Sequence, residues 1–454
     1  MQTLSRSLLA LACLAGAARP VCGADALSEA SRRIDAFFAA TAEGNWPGAA
    51  VLVLRGGAVA HSRAYGLANV EQGLANTPRT KFRLASVSKS FTALLVLQLV
   101  EQGRLRLDDP LEKYLPGIAG GGVMTIHHLL SHTSGMPDFM SFEEAAKLPR
   151  ESVPGERLNY SNLGYQALGR VVEKVTGKTY EAQLREAILD PLGMEDTGGG
   201  WPGASSEGRA TGYLFDPGSG GVSLAETSNA DPASGGLYST AEDMAQWVKG
   251  LLDGRIVSPA TLEKAWTPVA LNDGRHGAYG YGFMLAPYRG LREVAHGGDI
   301  SGFNTYYAIY PTEKLAVVVL SNVGMRPPGP VPEVGTIAHD VADLLVGDRL
   351  GPRWPPTIAL PPQVLDRYTG RYRIDAPAPI VAVMGDAIEI RRDGERLVAK
   401  GKQGEAEIFP ETETEFHSKA GPVRITFVLG EGGVPAQAIV TLMGLREFHI
   451  TRLP

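Results

Sequence analysis

Two widely separated groups of β-patterned segments constrain this chain most. Near the start, "GAAVLVLRGGAVAHSRAYGLAN" (residues 48–69) holds two apolar runs joined at Gly56-Gly57, the signature of a β-hairpin. More than two hundred residues later "YGYGFMLA", "REVAHGG", "FNTYYAIYP" and "LAVVVLSN" follow one another with the spacing of an antiparallel meander. Between them, from Lys89 to Pro268, helical patterns such as "FTALLVLQLVEQG" alternate with glycine- and proline-rich loops. Helices are expected at Leu27 to Thr41 and, closing the unit, at Val334 to Val346. This order predicts one α+β unit: an antiparallel sheet covered by helices, with an inserted helical region and its two ends meeting in space.

Proline then crowds the chain from Pro352 to Pro362, as in a linker. Beyond it, "AIEIRRDGERLVA" reads as two strands around Asp393-Gly394, and Val423, Ile425, Phe427 and Leu429 alternate with other residues. A small all-β domain, a barrel, is expected there. The expected division is a leader at 1–23, a main domain at 24–347, a linker at 348–362 and a C-terminal β domain at 363–454.

The chain has 454 residues, 44% of them hydrophobic and 20% charged, enough for a sizeable core. Arg6, the apolar run from Leu8 to Ala18 and the small residues around Cys22 to Ala24 read as an export signal, so a periplasmic or secreted protein is expected. That run is shorter than the ~20 residues of a membrane-spanning helix, and no transmembrane anchor is expected in the mature chain. Both cysteines, Cys13 and Cys22, lie in the leader, which leaves no disulfide in the mature chain. Cutting after Gly23 removes two arginines and no acids, so 43 − 2 = 41 basic residues face 49 acidic ones, a formal charge of −8. Nucleic acid is not an expected partner.

Chemistry is concentrated in three places. In "LASVSKSFTALL" (84–95), Ser86 stands three residues before Lys89 at the mouth of an apolar helix. A serine hydroxyl attacks only if a neighbour takes its proton, and Lys89 at i+3 is in reach. The amine must be neutral to do so, and moving a lysine from ~10.4 toward ~7 costs on the order of 5 kcal/mol, which burial and a second proton carrier would share. In "PGERLNYSNLGY", Tyr160 could relay a proton and Asn162 could hold a substrate amide or Lys89 itself, with an aromatic core residue and a plain N-cap as the simpler reading. In "VAHGGDISGFN", His296 is followed by Gly297 and Gly298, which would let a substrate backbone lie along the strand edge, and Asp299 could offer a backbone N–H.

Together and in this order these residues resemble the serine β-lactamase and penicillin-binding protein superfamily, with its Ser-x-x-Lys, Tyr-x-Asn and Lys-Thr-Gly-type elements. The likeness is greatest to the class C β-lactamase-like group, including D-aminopeptidases, D,D-peptidases and family VIII carboxylesterases, and "LLSHTSGMPD" (129–138) and "YGYGF" fit it too. The resemblance implies an acyl-enzyme on Ser86, with Lys89 and Tyr160 as the proton-transfer pair. Asn162, His296, Gly297 and Gly298 would bind substrate, and the backbone N–H groups of Ser86 and Asp299 would form the oxyanion hole. The tail beginning "LDRYTGRYRI" resembles the lipocalin-like domain attached to some of these hydrolases, which borders the cleft or mediates assembly.

One departure bears on substrate. Penicillin-processing members commonly carry lysine where this chain has His296, and histidine is largely neutral at pH 7. Esters, D-amino acid amides or peptides, some of them cell-wall derived, are therefore the expected substrates, with β-lactamase or D,D-carboxypeptidase activity as the alternative and a non-catalytic penicillin sensor as a further one. No cofactor or metal is expected: His128 and His132 lie at i, i+4, but His-Glu-x-x-His is absent, and a turn-capping histidine is the simpler reading of His132. A Gly-x-Ser-x-Gly elbow is absent as well.

Overall fold

The computed structural model describes residues 23–38, 45–138, 141–200, 208–216, 219–226, 229–324 and 333–454. The expected leader falls on residues 1–23, of which all but Gly23 lie outside the described residues. After helix α1 (Gly23–Phe37), strands β1 (Ala49–Arg55) and β2 (Ala58–Tyr65) form the hairpin, with Gly56 and Gly57 both at positive φ. Helices α2 (Ser88–Glu101), α3 (Asn162–Thr176) and α4 (Ala241–Leu252) belong to the inserted region. Strands β3 (Val294–Ile300), β4 (Phe303–Tyr310) and β5 (Leu315–Ser321) return to the sheet, and helix α5 (Val334–Val346) follows. The five strands pair antiparallel in the order β2-β1-β5-β4-β3, so the first and last parts of this unit meet at its centre.

The two-residue period of β1 explains how the sheet is sandwiched. Val51 and Val53 pack toward α1 and α5 with Ile34, Ile337 and Val341, whereas Ala50, Leu52 and Leu54 turn to the other face, toward Phe91, Leu94 and Trp247. Both faces are covered, so β1 from Ala49 to Leu54 and β5 from Leu315 to Leu320 are apolar. Helix α2 is buried from Ser88 through Leu97, which explains why apolar residues surround it instead of forming one stripe.

Two expectations are corrected. Helix α1 covers Gly23–Phe37, so it begins four residues before the expected Leu27 and ends at Phe37, ahead of a turn at residue 38; residues 39–41 of the expected span lie outside the described residues. "YGYGFMLA" is not a strand: isolated bridges join Tyr279 to Met284 and Met284 to Ala295, and Gly282, at φ +82°, folds the segment onto α2. A Cβ on Gly282 would meet Ala93 Cβ at 2.5 Å and the Lys89 carbonyl at 3.1 Å, so close packing on the helix displaced the extended form. The bridge at Ala295 also covers part of the exposed edge of β3.

Residues 370–452 form a closed barrel of eight strands: β6 (Gly370–Asp375), β7 (Ala387–Asp393), β8 (Arg396–Gly401), β9 (Gly404–Pro410), β10 (Glu415–Ser418), β11 (Val423–Leu429), β12 (Pro435–Leu442) and β13 (Arg446–Arg452). Each pairs with the next and β13 closes on β6. Ile425 and Phe427 point inward with Tyr372, Phe416 and Phe448, as the alternation of the sequence requires. The proline-rich segment lies against this barrel: Ile358 N–H donates to Pro410 O and Trp354 stacks on His417. Among the described residues, no helix is long and apolar enough to cross a membrane.

Candidate active site

Ser86 lies in a single 3-10 turn, Ala85–Val87, immediately ahead of α2. Ala85 has φ +47°, a left-handed conformation that costs a non-glycine residue on the order of 1–2 kcal/mol. Surrounding bonds hold it there. Ser88 Oγ donates to Ala85 O (2.7 Å) and accepts from Leu237 N–H (3.1 Å), while Thr305 Oγ1 donates to Leu84 O (2.8 Å). The strained turn tips the Ser86 side chain toward a cavity of about 460 Å³, lined also by Asp138, Asn162, Asp231, Ser234 and Asp299.

Lys89 is fully buried one turn further on. Its Nζ lies 2.6 Å from Ser234 O, 2.8 Å from Asn162 Oδ1 and 3.2 Å from Ser86 Oγ. Burial pushes this amine down to about 7, against the opposing pull of the Asp138 and Asp231 carboxylates. A neutral amine has two N–H donors and one lone pair. The two oxygens that can only accept, Ser234 O and Asn162 Oδ1, take both donors, which leaves the lone pair for the Ser86 hydroxyl.

Tyr160, Ser161 and Asn162 divide their tasks at the start of α3. Ser161 is the N-cap, its Oγ accepting from Gly164 N–H (3.1 Å), so Asn162 is spared for Lys89. Asp138 fixes Asn162 twice, accepting from its backbone N–H (3.2 Å) and from Nδ2 (3.3 Å). The Tyr160 ring lies 4.8 Å from Lys89 Nζ, and its phenol, raised above the usual tyrosine range chiefly by burial, hydrogen-bonds the Ser86 side chain. His132 packs against this ring with centroids 4.1 Å apart, and its Nδ1 accepts from Ser161 N–H (3.1 Å). Its proton is therefore on Nε2. Burial, with Lys89 nearby, holds His132 neutral.

Ser86, Lys89, Tyr160 and Asn162 thus come together from two segments more than seventy residues apart. The third segment arrives differently from expectation. His296 is 1% exposed, donates from Nδ1 to Gly297 O (2.7 Å) and accepts at Nε2 from the Tyr279 hydroxyl (2.8 Å). Burial, then the nearness of Lys89, depresses it to about 3. It stands beneath Tyr160, with ring centroids 6.4 Å apart. Gly298 is buried too, and a Cβ there would lie 2.2 Å from Leu84 O, so its missing side chain lets β3 lie on the turn that carries Ser86. Gly297 is half-buried and Asp299 exposed. Ala295 turns its backbone groups outward to Met284, and the strand period puts those of Gly297 and Asp299 on the same side.

Sequence reasoning assigned no role to Asp138, Asp231, Ser234, Tyr279 or Arg446. Asp138 ends the "SHTSGMPD" stretch already singled out, but its link to Asn162 is a long-range contact without a local signal. The barrel also reaches this site: Tyr160 N–H donates to Leu445 O (3.2 Å), Glu447 N–H donates to Leu158 O (3.1 Å), and Arg446 Nη2 donates to Tyr160 O (2.7 Å).

Comparison with known proteins agrees with this architecture. Over 419 residues the chain is 29% identical to penicillin-binding protein 4* of Bacillus subtilis (strain 168), spanning 84% of this chain and 90% of that one. The octameric penicillin-binding protein homologue from Pyrococcus abyssi superposes with a TM-score of 0.63 at 26% identity, over 92% of this chain and 99% of the other. The D-amino acid amidase from Ochrobactrum anthropi SV3, complexed with L-phenylalanine amide, gives 0.60 at 25% identity over 71% and 99%. The profile of the Beta-lactamase family matches residues 34–338, well over half of the chain. With its sheet, its helical insertion and this match, the chain belongs to the Beta-lactamase family, which is made up mostly of serine hydrolases.

Proposed function

We propose that the protein is a serine hydrolase that cleaves esters or the amide and peptide bonds of D-amino acid compounds through an acyl-enzyme on Ser86. The observation that carries this reading is the position of Lys89 Nζ, within hydrogen-bond distance of two carbonyl oxygens and of Ser86 Oγ, so that in the neutral amine both N–H groups go to the carbonyls and the lone pair is left for the hydroxyl. Lys89 accepts the Ser86 proton as Oγ bonds to the acyl carbon. The oxyanion then meets the backbone N–H groups of Ser86 and Asp299, two of the residues that line the cavity. Tyr160, in reach of Ser86, passes the proton to the departing alcohol or amine, and water later releases the acyl group by the reverse relay.

His296, Gly297 and Gly298 support the site from below and beside it, and Asn162 orients both Lys89 and the bound acyl group. A neutral, enclosed His296 offers a substrate carboxylate no cation, which favours esters and amides over penicillins. The D-amino acid amidase at 25% identity fits the same preference. The main unit at 24–347, the linker at 348–362 and the barrel unit at 363–454, export after loss of residues 1–23, and self-association through the barrel belong to the same proposal. The octameric Pyrococcus abyssi homologue supports self-association as such.

The test is a fluorophosphonate probe followed by intact mass, with turnover of p-nitrophenyl esters, D-Ala-p-nitroanilide and nitrocefin measured beside Ser86→Ala. One covalent adduct on Ser86, and loss of turnover in the variant, are expected. Full turnover by folded Ser86→Ala would remove this serine from the mechanism, and hydrolysis of nitrocefin alone would favour the β-lactamase alternative.

A further inference from the structure

We propose that Arg446, carried by the barrel, is a positioning residue of the acyl-transfer site, holding the Tyr160 backbone and facing Asp138 at the head of a chain of contacts that runs through Asn162 and Lys89 to Ser86. The inference rests on the reading of Ser86 and Lys89 given above. It concerns a residue outside the matched family region, which ends at residue 338.

The turn that presents Arg446 is built for close approach. Met443 and Gly444 both have positive φ, as a tight hairpin turn between β12 and β13 requires, and a Cβ on Gly444 would meet Ala278 Cβ at 2.9 Å. Leu445 packs with Tyr160 around Leu158, Val269 and Tyr279. Asn159 and Arg446 form an antiparallel bridge, so the Leu158–Tyr160 segment adds to the barrel as a short extra strand. The backbone that carries the phenol is therefore registered by the barrel.

The side chain of Arg446 extends this grip into the site. Its Nη2 lies 2.7 Å from Tyr160 O and 4.0 Å from Asp138 Oδ2, with side-chain exposures of 13% for Arg446 and 4% for Asp138. Asp138 in turn holds Asn162 by two bonds, and Asn162 Oδ1 takes a proton of Lys89. The groups that face Lys89 are Asp138, Asp231, Tyr160, Tyr165, His132 and His296, with Ser86 and Ser234 O as its other partners. Both histidines are neutral, so Asp138 and Asp231 are the two groups whose charge favours protonated lysine. Arg446 offsets one of them.

Removing the guanidinium should free Asp138's field to act on Lys89 and loosen Tyr160. In Arg446→Gln, kcat for an ester substrate should fall between about ten- and a hundredfold with KM within about twofold, because the relay is misplaced rather than the binding surface lost. The acid limb of the kcat/KM profile should move up by on the order of one pH unit. Arg446→Lys should keep the limb in place, and Arg275→Gln, which breaks a second contact between the same two units at Glu447, should leave the whole profile unchanged. If Arg446→Gln does not fold, Asp138→Asn serves, with the limb expected to move down. A wild-type limb in Arg446→Gln, or in Asp138→Asn, with Ser86 still labelled by the probe, would overturn the role of Arg446 while leaving the hydrolase reading intact. Failure of wild-type protein to label at Ser86 would overturn both.

Discussion

The sheet-and-helix unit and the barrel are both closed around a core, yet they spend burial in opposite ways. Inside the barrel, Tyr368, Phe416 and Phe427 meet at 4.8–5.4 Å between centroids and fill the interior with aromatic rings. In the larger unit, a lysine lies fully buried at the start of its most enclosed helix. One interior is filled with rings, and the other encloses an amine that burial lowers to about 7. The barrel touches the candidate site from its rim, through the turn between β12 and β13.

Four substitutions would break or sharpen this contrast. Lys89→Ala should cost on the order of a thousandfold or more in turnover with the fold retained, and Tyr160→Phe should add little to that loss because the two act as a unit. Additive losses in the double variant, measured with an ester substrate, would separate them. Phe427→Ala should do the reverse, lowering stability by about 3–5 kcal/mol in denaturant unfolding while changing turnover per folded molecule little. Gly298→Ala should fall between the two. Its Cβ would overlap the Leu84 carbonyl and displace β3 from the turn that carries Ser86, so it should lower both the unfolding midpoint and probe labelling of Ser86. Unchanged labelling would show that this contact is dispensable.

The smallest effect concerns pH. Lys89 must be neutral to accept a proton, and burial puts it at about 7, so kcat/KM should rise as pH passes upward through that value. His296, at about 3, stays neutral across the same range and should add no second limb there. A profile that falls with rising pH near 7 would contradict lysine as the base.

Periodicity and turns made much of this molecule legible in the sequence. The apolar run in "AVLVLR", Gly56-Gly57, Asp393-Gly394 and the closing helix at Val334–Val346 correspond to structure because each is decided by neighbours in the chain. Ser86, Lys89, Tyr160 and Asn162 were nameable because two short motifs carry them. "YGYGFMLA" misled because Gly282 serves close approach to α2 and Gly280 close approach to the Ala265 carbonyl, a purpose that aromatic and apolar residues beside them disguise as a strand. Asp138 and Arg446 escaped for another reason: their partners lie 24 and 286 residues away, and no local pattern encodes such a meeting.

That last distance has a consequence in time. The amide of Tyr160 and the carbonyl of Leu158 find their backbone partners at residues 445 and 447. On the ribosome, serine, lysine and phenol all emerge long before those residues exist. A nascent chain therefore holds all three side chains of the candidate site but lacks the backbone contacts that fix the Leu158–Tyr160 segment until translation has passed the hairpin of β12 and β13.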